Sequence, residues 1–296
     1  MNTPQTPSFN LLIHGFEGWM RSLGYAPSTV YGSVRFTEEF LRFLEKQSVE
    51  TLDHIGQQHI ESYDLYLRQR PNLKSKGALS ISSITSNLNA VRRFGRYLQQ
   101  TGKYTLEVNV PLPKAQRSVE RMVLSLLEIR SLYRVTDESL LGIRDRAMLG
   151  IYYGCGLRRS EGVALDRQDV DLHRNMLFVR RCKGYSERYI PFNQAIKEDF
   201  AAWLTVRSQL LVNPTEKAFL IGVTGKALKG PAVMERLKGL VRLAGVDRTT
   251  GLHTLRHSIA THLLKGGMSL ENVSRFLGHR SLESTQIYTH LSAETQ

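Results

Sequence analysis

The feature that most constrains this chain is a break. Between Gly102 and Arg121 the run TGKYTLEVNVPLPKAQR and the residues after it lose helical periodicity around Pro111 and Pro113. Before the break, the stretch from about Phe9 to Gln100 reads as four helices, punctuated at Gly24-Tyr25-Ala26-Pro27, at Gln47 to Asp53 and at Pro71 to Leu79. After it the pattern is mixed. A long helix over about Asp137 to Tyr153 leads into GCGLRRSEGVAL, two strand-like runs, MLFVRR and RYIPF, flank a polar turn, and helices complete the chain. The expected organisation is therefore an all-α domain over 1–101, a joint over 102–121 and a mixed α+β domain over 122–296, mainly α with a small β component. A chain of 296 residues can bury a real core in each part.

Charge narrows the partner. Lys and Arg number 40 against 27 Asp and Glu, a net +13. The excess is spread as +3 over 1–101, +2 over 102–121 and +8 over 122–296. Two basic domains on a basic joint suit a duplex nucleic acid, around which they could close. Solvated surface charge is the plainer alternative. Two cysteines, Cys155 and Cys182, cannot make a disulfide framework or a four-sulfur zinc site, which points to a reducing, cytoplasmic setting. No window approaches about 18 uninterrupted apolar residues, and the start lacks a basic stretch followed by an apolar one, so neither a membrane span nor export is expected.

The helix expected over about Ser80 to Gln100 divides into two faces. Ile81, Ile84, Leu88, Val91 and Leu98 fall on the helical repeat and should pack inward. Opposite them Thr85, Asn89, Arg92, Arg93 and Arg96 offer hydroxyl, amide and guanidinium groups suited to phosphates and base edges. By itself this pattern also fits an ordinary amphipathic helix.

Phosphodiester chemistry needs positive charge around two nonbridging oxygens, a nucleophile and a proton donor for the departing oxygen. The second domain holds all three types. Arg158, in GLRRSE, comes after a glycine-bracketed turn at an expected helix start. Arg256, in HTLRH, lies three residues after His253, so both project from one helical face. A guanidinium suits the task because its planar fork grips two oxygens and keeps its charge. Further on, LGHRSLESTQIYTH carries His279 and Tyr288. A phenol with a pKa near ~10 is a poor nucleophile unless cations or a base assist it, and His253 and the arginines can do so. Each of these residues alone reads as a surface or packing residue. His253 and His257 have a zinc-compatible spacing but no glutamate and no third ligand beside them, so no metal is expected. Neither a G-x-S-x-G elbow nor a P-loop is present.

Taken in order, GLRRSE, RRCKGYSERYIPF, LHTLRHSIATHLL and LGHRSLESTQIYTH resemble the tyrosine recombinase (phage integrase) family. The resemblance spans essentially all of 122–296; the four-helix region is more loosely similar to that family's SAM-like core-binding domain. It implies a catalytic set of Arg158, Lys183, His253, Arg256, His279 and Tyr288, with Glu161 as a secondary active-site acid. Tyr288 would attack the scissile phosphate and leave a 3′-phosphotyrosine, Lys183 would protonate the leaving 5′-oxygen, His253 would take the tyrosine proton, and Arg158, Arg256 and His279 would stabilise the transition state. A lysine at the tip between two short strands can reach into a DNA groove, although here the turn is Cys182-Lys183-Gly184 where the family often has Gly-Lys-Gly. No cofactor is implied. The implied partner is double-stranded DNA bearing a paired inverted-repeat core site, engaged by a self-assembled tetramer, in integration or excision, inversion or dimer resolution of a Xer-type enzyme, with accessory proteins left open. Only eight residues come after Tyr288, fewer than in many relatives. The competing expectations are a type IB topoisomerase-like relaxing enzyme and a catalytically silent architectural DNA-binding protein.

Overall fold

The computed structural model describes residues 3–72, 77–106, 108–111, 123–180, 187–246 and 250–278. Lys183, His279 and Tyr288 lie outside the described residues, as does Cys182. The chain divides into two compact units, Met1–Val119 and Glu120–Gln296.

The first unit is built from α1 (Pro7–Ser22), α2 (Pro27–Glu45), α3 (Gln57–Gln69) and α4 (Ile81–Gln100). Prolines open α1 and α2, where a missing N–H costs nothing because the first turn has no partner for it. Phe9, Leu12, Ile13, Phe16 and Met20 fall on one stripe of α1 and are buried. They meet α4, where Phe94 stands edge-on to Phe16 at 5.5 Å between ring centres. α4 begins on Ser80, whose hydroxyl accepts from the N–H of Ser83 at 3.2 Å. Ile84, Leu88, Val91 and Leu98 pack inward as the repeat predicts, but Ile81 does not: it is 41% exposed. It sits at the first position of the helix, ahead of the stretch that neighbouring helices cover.

The segment expected to begin the joint contributes to this core, since Leu106 and Val110 are buried in it. Gly95 explains how the chain crosses α4. A Cβ there would come to 2.7 Å from the carbonyl oxygen of Leu106, so any larger residue would push the crossing segment away.

The second unit begins with α5 (Leu126–Arg134), closed at its start by reciprocal bonds between Ser125 and Glu128. α6 (Leu140–Leu149) runs into a wide π-type turn, Gly150–Gly154, and then α7 (Arg159–Val163). The single helix expected from Asp137 to Tyr153 is thus shorter at its start and different at its end. Ser139 caps it, accepting from Gly142 N–H at 3.1 Å, so the helix begins at Leu140. Strands β1 (Val170–Asp171), β2 (Met176–Val179) and β3 (Arg188–Pro191) form an antiparallel sheet in the order β1-β2-β3. β2 and β3 match the two runs read from the sequence; β1, two residues long, was not foreseen. Leu177 pairs with Ile190, and Val179 with Arg188. The buried positions Leu177, Val179 and Ile190 mark the inner face, while Tyr189 points outward.

α8 (Gln194–Val206), α9 (Gly230–Leu243), α10 (Leu252–Lys265) and α11 (Leu270–Leu277) complete the unit. Its core centres on Tyr152, Phe200, Trp203 and Phe219, all fully buried, with the indole N–H of Trp203 donating to the Phe219 carbonyl at 2.8 Å. Asp145, buried on α6, accepts from the adjacent Arg144 and from Arg236 on α9, which ties those two helices together. Cys155 is buried beside this core, and burial pushes its thiol up to about 12.

Candidate active site

Local structure places Arg158 first. It is the capping residue just before α7, and the Glu161 side chain turns back to accept from its backbone N–H at 2.8 Å. The same carboxylate accepts from the Arg158 guanidinium, Nη1 to Oε1, at 2.9 Å. Glu161 is buried, with a side chain only 1% exposed. Burial pushes its carboxyl upward, but bonds and charge from Arg188, with those of Arg158 after them, outweigh that and hold it down at about 2. It is a fixed anion.

Arg256 approaches from α10. Its Nη1 donates to the carbonyl of Gly156, its Nη2 donates to the carbonyl of Leu277 at 2.7 Å, and Glu161 Oε2 lies 3.9 Å from Nη1. Arg158 reaches the next carbonyl, Gly278, at 3.0 Å through Nη2. Residues far apart in the sequence thus converge: two guanidiniums share one buried carboxylate and the C-terminal end of α11. His253, one turn before Arg256, stays open to solvent on α10. Partial desolvation, then the cations Arg256, Arg159 and Arg158, hold its pKa below the ordinary imidazole value, so it is neutral at pH 7 and able to accept a proton. His257 is buried. Among the described residues no group of three His, Cys, Asp or Glu side chains could hold a metal ion.

A further residue joins the cluster, and the sequence reading passed over it. Arg188, at the start of β3, grips Glu161 with both prongs, Nη1 to Oε1 and Nη2 to Oε2, each at 3.0 Å. A signal for it was present. In RYIPF the alternation of a strand puts Arg188 on the side of Ile190, which is apolar and inward, so a guanidinium was due to point into the protein and to need a carboxylate there.

On α4 the expected polar face is partly engaged within its own unit. Arg92 donates to the Val110 carbonyl, and Arg93 to the Ser33 hydroxyl at 3.1 Å. Arg96 is exposed, and Thr85 and Asn89 are partly so.

Residues 122–295 match the phage integrase family model, and residues 12–103 match the model of a phage integrase N-terminal SAM-like domain. The chain is 33% identical to tyrosine recombinase XerC of Bacillus subtilis (strain 168) over 278 residues, covering 91% of this chain and 88% of that protein. It is 34% identical to tyrosine recombinase XerC of Vibrio cholerae over 255 residues, covering 83% and 80%. In fold it resembles XerH site-specific recombinase bound to its difH substrate, with a TM-score of 0.75 at 18% identity over 99% of this chain and 96% of that one. It likewise resembles a lambda integrase dimer bound to a core site, with a TM-score of 0.70 at 15% identity over 92% and 95%. The chain belongs to the phage integrase family, the tyrosine recombinases. Its activity is that of a site-specific tyrosine recombinase, of the kind its XerC relatives represent. No described helix is long and apolar enough to cross a membrane.

Proposed function

We propose that the chain cuts and rejoins duplex DNA at a paired inverted-repeat core site, as a tetramer assembled on DNA, with Arg158, Lys183, His253, Arg256, His279 and Tyr288 as the reacting groups. The observation that carries this reading is the convergence of Arg158 and Arg256 on Glu161 and on the end of α11. The segment leaving α11 begins with His279 and contains Tyr288, so the chain holding the nucleophile departs from the residues the arginines grip. The first unit clamps the duplex, and the phage integrase region of the second, 122–296, performs the chemistry. The setting is the cytoplasm.

In the forward step the Tyr288 oxygen attacks phosphorus and gives its proton to His253. The bond to the 5′-oxygen breaks, and that oxygen takes a proton from Lys183. The products are a 3′-phosphotyrosyl ester and a 5′-hydroxyl. Arg158, Arg256 and His279 stabilise charge on the nonbridging oxygens as it builds. A 5′-hydroxyl from another strand then attacks the ester, and the same groups exchange protons in reverse. One ester replaces another at each step, so the exchange is nearly isoenergetic and needs no nucleotide hydrolysis. Integration, excision, inversion and dimer resolution can all use this sequence of steps.

The test is a nicked duplex of the core site, from which the cleaved fragment diffuses away. Wild-type protein should accumulate a covalent adduct, and Tyr288→Phe should bind equally tightly and form none. No adduct from wild type under saturating specific binding would overturn the enzymatic reading. Adduct formation leading only to relaxation of supercoils, with no recombinant joints, would replace strand exchange with a topoisomerase-like cycle.

A further inference from the structure

We propose that Arg188 is a positioning residue of the cleavage step: it fixes strand β3 and the C-terminal end of α11 to Glu161, and so sets where the groups carried beyond both segments meet the two phosphate arginines. This deepens the function proposed above and rests on its assignments of Lys183 and His279.

The side chain of Arg188 is 9% exposed. Besides its two-pronged grip on Glu161, its Nε donates to the Phe276 carbonyl at 3.2 Å. Those N–H groups are directed into the protein, so Arg188 works by holding other segments in place. The segments it joins are specific. Lys183 precedes it by five positions in the sequence, Phe276 lies in the last turn of α11, and Glu161 is the carboxylate that Arg158 also uses.

Gly278 shows how close the fit is. Its φ of 64° is left-handed, which favours glycine, and a Cβ there would fall 2.9 Å from the Arg188 side chain. The residue before His279 is therefore seated directly on the guanidinium.

Charge supports the same conclusion. Three guanidiniums, those of Arg158, Arg188 and Arg256, surround one carboxylate. With Arg188 in place Glu161 is balanced by a residue outside the phosphate grip, and two positive charges remain for the scissile phosphate. Without it Glu161 would offset one of the two phosphate arginines. A lysine cannot replace the fork, because a single ammonium cannot bridge both carboxylate oxygens and the Phe276 carbonyl.

The test is single-turnover cleavage of the nicked core-site duplex by full-length protein over a range of protein concentrations. In Arg188→Gln the saturating rate should fall about 100-fold, the loss expected for a small misplacement of reacting groups, while the half-saturating concentration stays within about threefold of wild type. Arg188→Lys should recover no more than about a tenth of the lost rate. Gly278→Ala, which keeps every charge but displaces the guanidinium, should show the same split. Unchanged half-saturation also reports that a variant is folded; should Arg188→Gln fail to fold, Arg188→Lys and Gly278→Ala decide the matter. A wild-type saturating rate in Arg188→Lys, or a loss explained wholly by weaker binding, overturns the proposal. A duplex with sulfur at the 5′-bridging position separates this from the reading of Lys183. A thiol, with a pKa near ~8.5, leaves without an acid, so Lys183→Ala should regain its rate on that substrate. If it does not, the Lys183 assignment fails, while the Arg188 result on the oxygen substrate stands by itself.

Discussion

Arg158 donates through Nη2 to the carbonyl oxygen of Gly278 at 3.0 Å, across 120 positions of sequence. Arg256 does the same to Leu277, the residue before it. The two guanidiniums assigned to a phosphate therefore also secure the segment from which His279 and Tyr288 depart.

Replacing either arginine by lysine keeps the charge and removes the fork. Arg158→Lys and Arg256→Lys should each slow covalent adduct formation by about 10²–10³-fold, the range for losing a transition-state donor, with DNA affinity little changed. Single-turnover cleavage on the nicked duplex measures this. Wild-type rates in either variant would remove that residue from the grip.

As the proposed proton acceptor, His253 should give the reaction an acid limb. With its pKa held below the ordinary 6.5, the imidazole remains a base at pH 7, and cleavage should weaken only as the pH falls below 6.5 and the ring takes up a proton. His253→Gln should be slower and lack that limb. An inflection above 6.5 in the wild-type profile would contradict the assignment.

Glu161 links the cluster to acid stability. Its carboxyl is near 2 in the folded protein against an ordinary 4.5, so the stabilisation is fully present above pH 4.5 and is lost as the pH falls through 2. A shift of this size corresponds to about 3 kcal/mol. Glu161→Gln should lower the melting temperature at pH 7 by leaving the guanidinium cluster without its carboxylate charge, and the gap from wild type should hold down to about pH 4.5 and narrow below it. A gap independent of pH would show that the carboxylate charge is not the source of the cluster's stability.

On α4, Arg96 is exposed whereas Arg92 is tied to Val110. Arg96→Ala should flatten the salt dependence of DNA binding by about one unit of log–log slope without moving the melting temperature. Arg92→Ala should flatten the slope and also lower the melting temperature, since it frees the Val110 carbonyl. Affinity measured from low to high salt, beside thermal unfolding, distinguishes the two. An unchanged slope excludes the residue as a phosphate ligand.

The parts of the fold read correctly were those written as a repeat. The run Ile84 to Leu98 carries enough turns for the buried side to declare itself, whereas Ile81 satisfied the same repeat at a helix end where no neighbour covers it. β1 escaped because two residues cannot show alternation. The π-type turn escaped because Gly-Ile-Tyr-Tyr-Gly has no proline or capping residue to mark where the winding changes. In the site, Arg158, Arg256 and Glu161 were legible as motif residues, but their mutual spacing was not. Arg188 was legible only through the inward register of Ile190, and it became meaningful once Glu161 was seen to be buried beside it.

That π-type turn bears on how the chain tolerates change in length. A wide turn accommodates one residue more than the regular spiral would, and each residue of an α-helix rotates the chain beyond it by about 100°. Removing that one residue would return the stretch to ordinary winding with Leu157 and Arg158 still in phase with α6, whereas removing one from the regular turns before it would rotate both by about 100°. A side chain at Gly150 or Gly154 is taken up less easily, since its Cβ would press on Phe200 or on Ile196. The stretch holds one residue in reserve: the aim of the Arg158 guanidinium survives the loss of a position there and not the loss of one within α6.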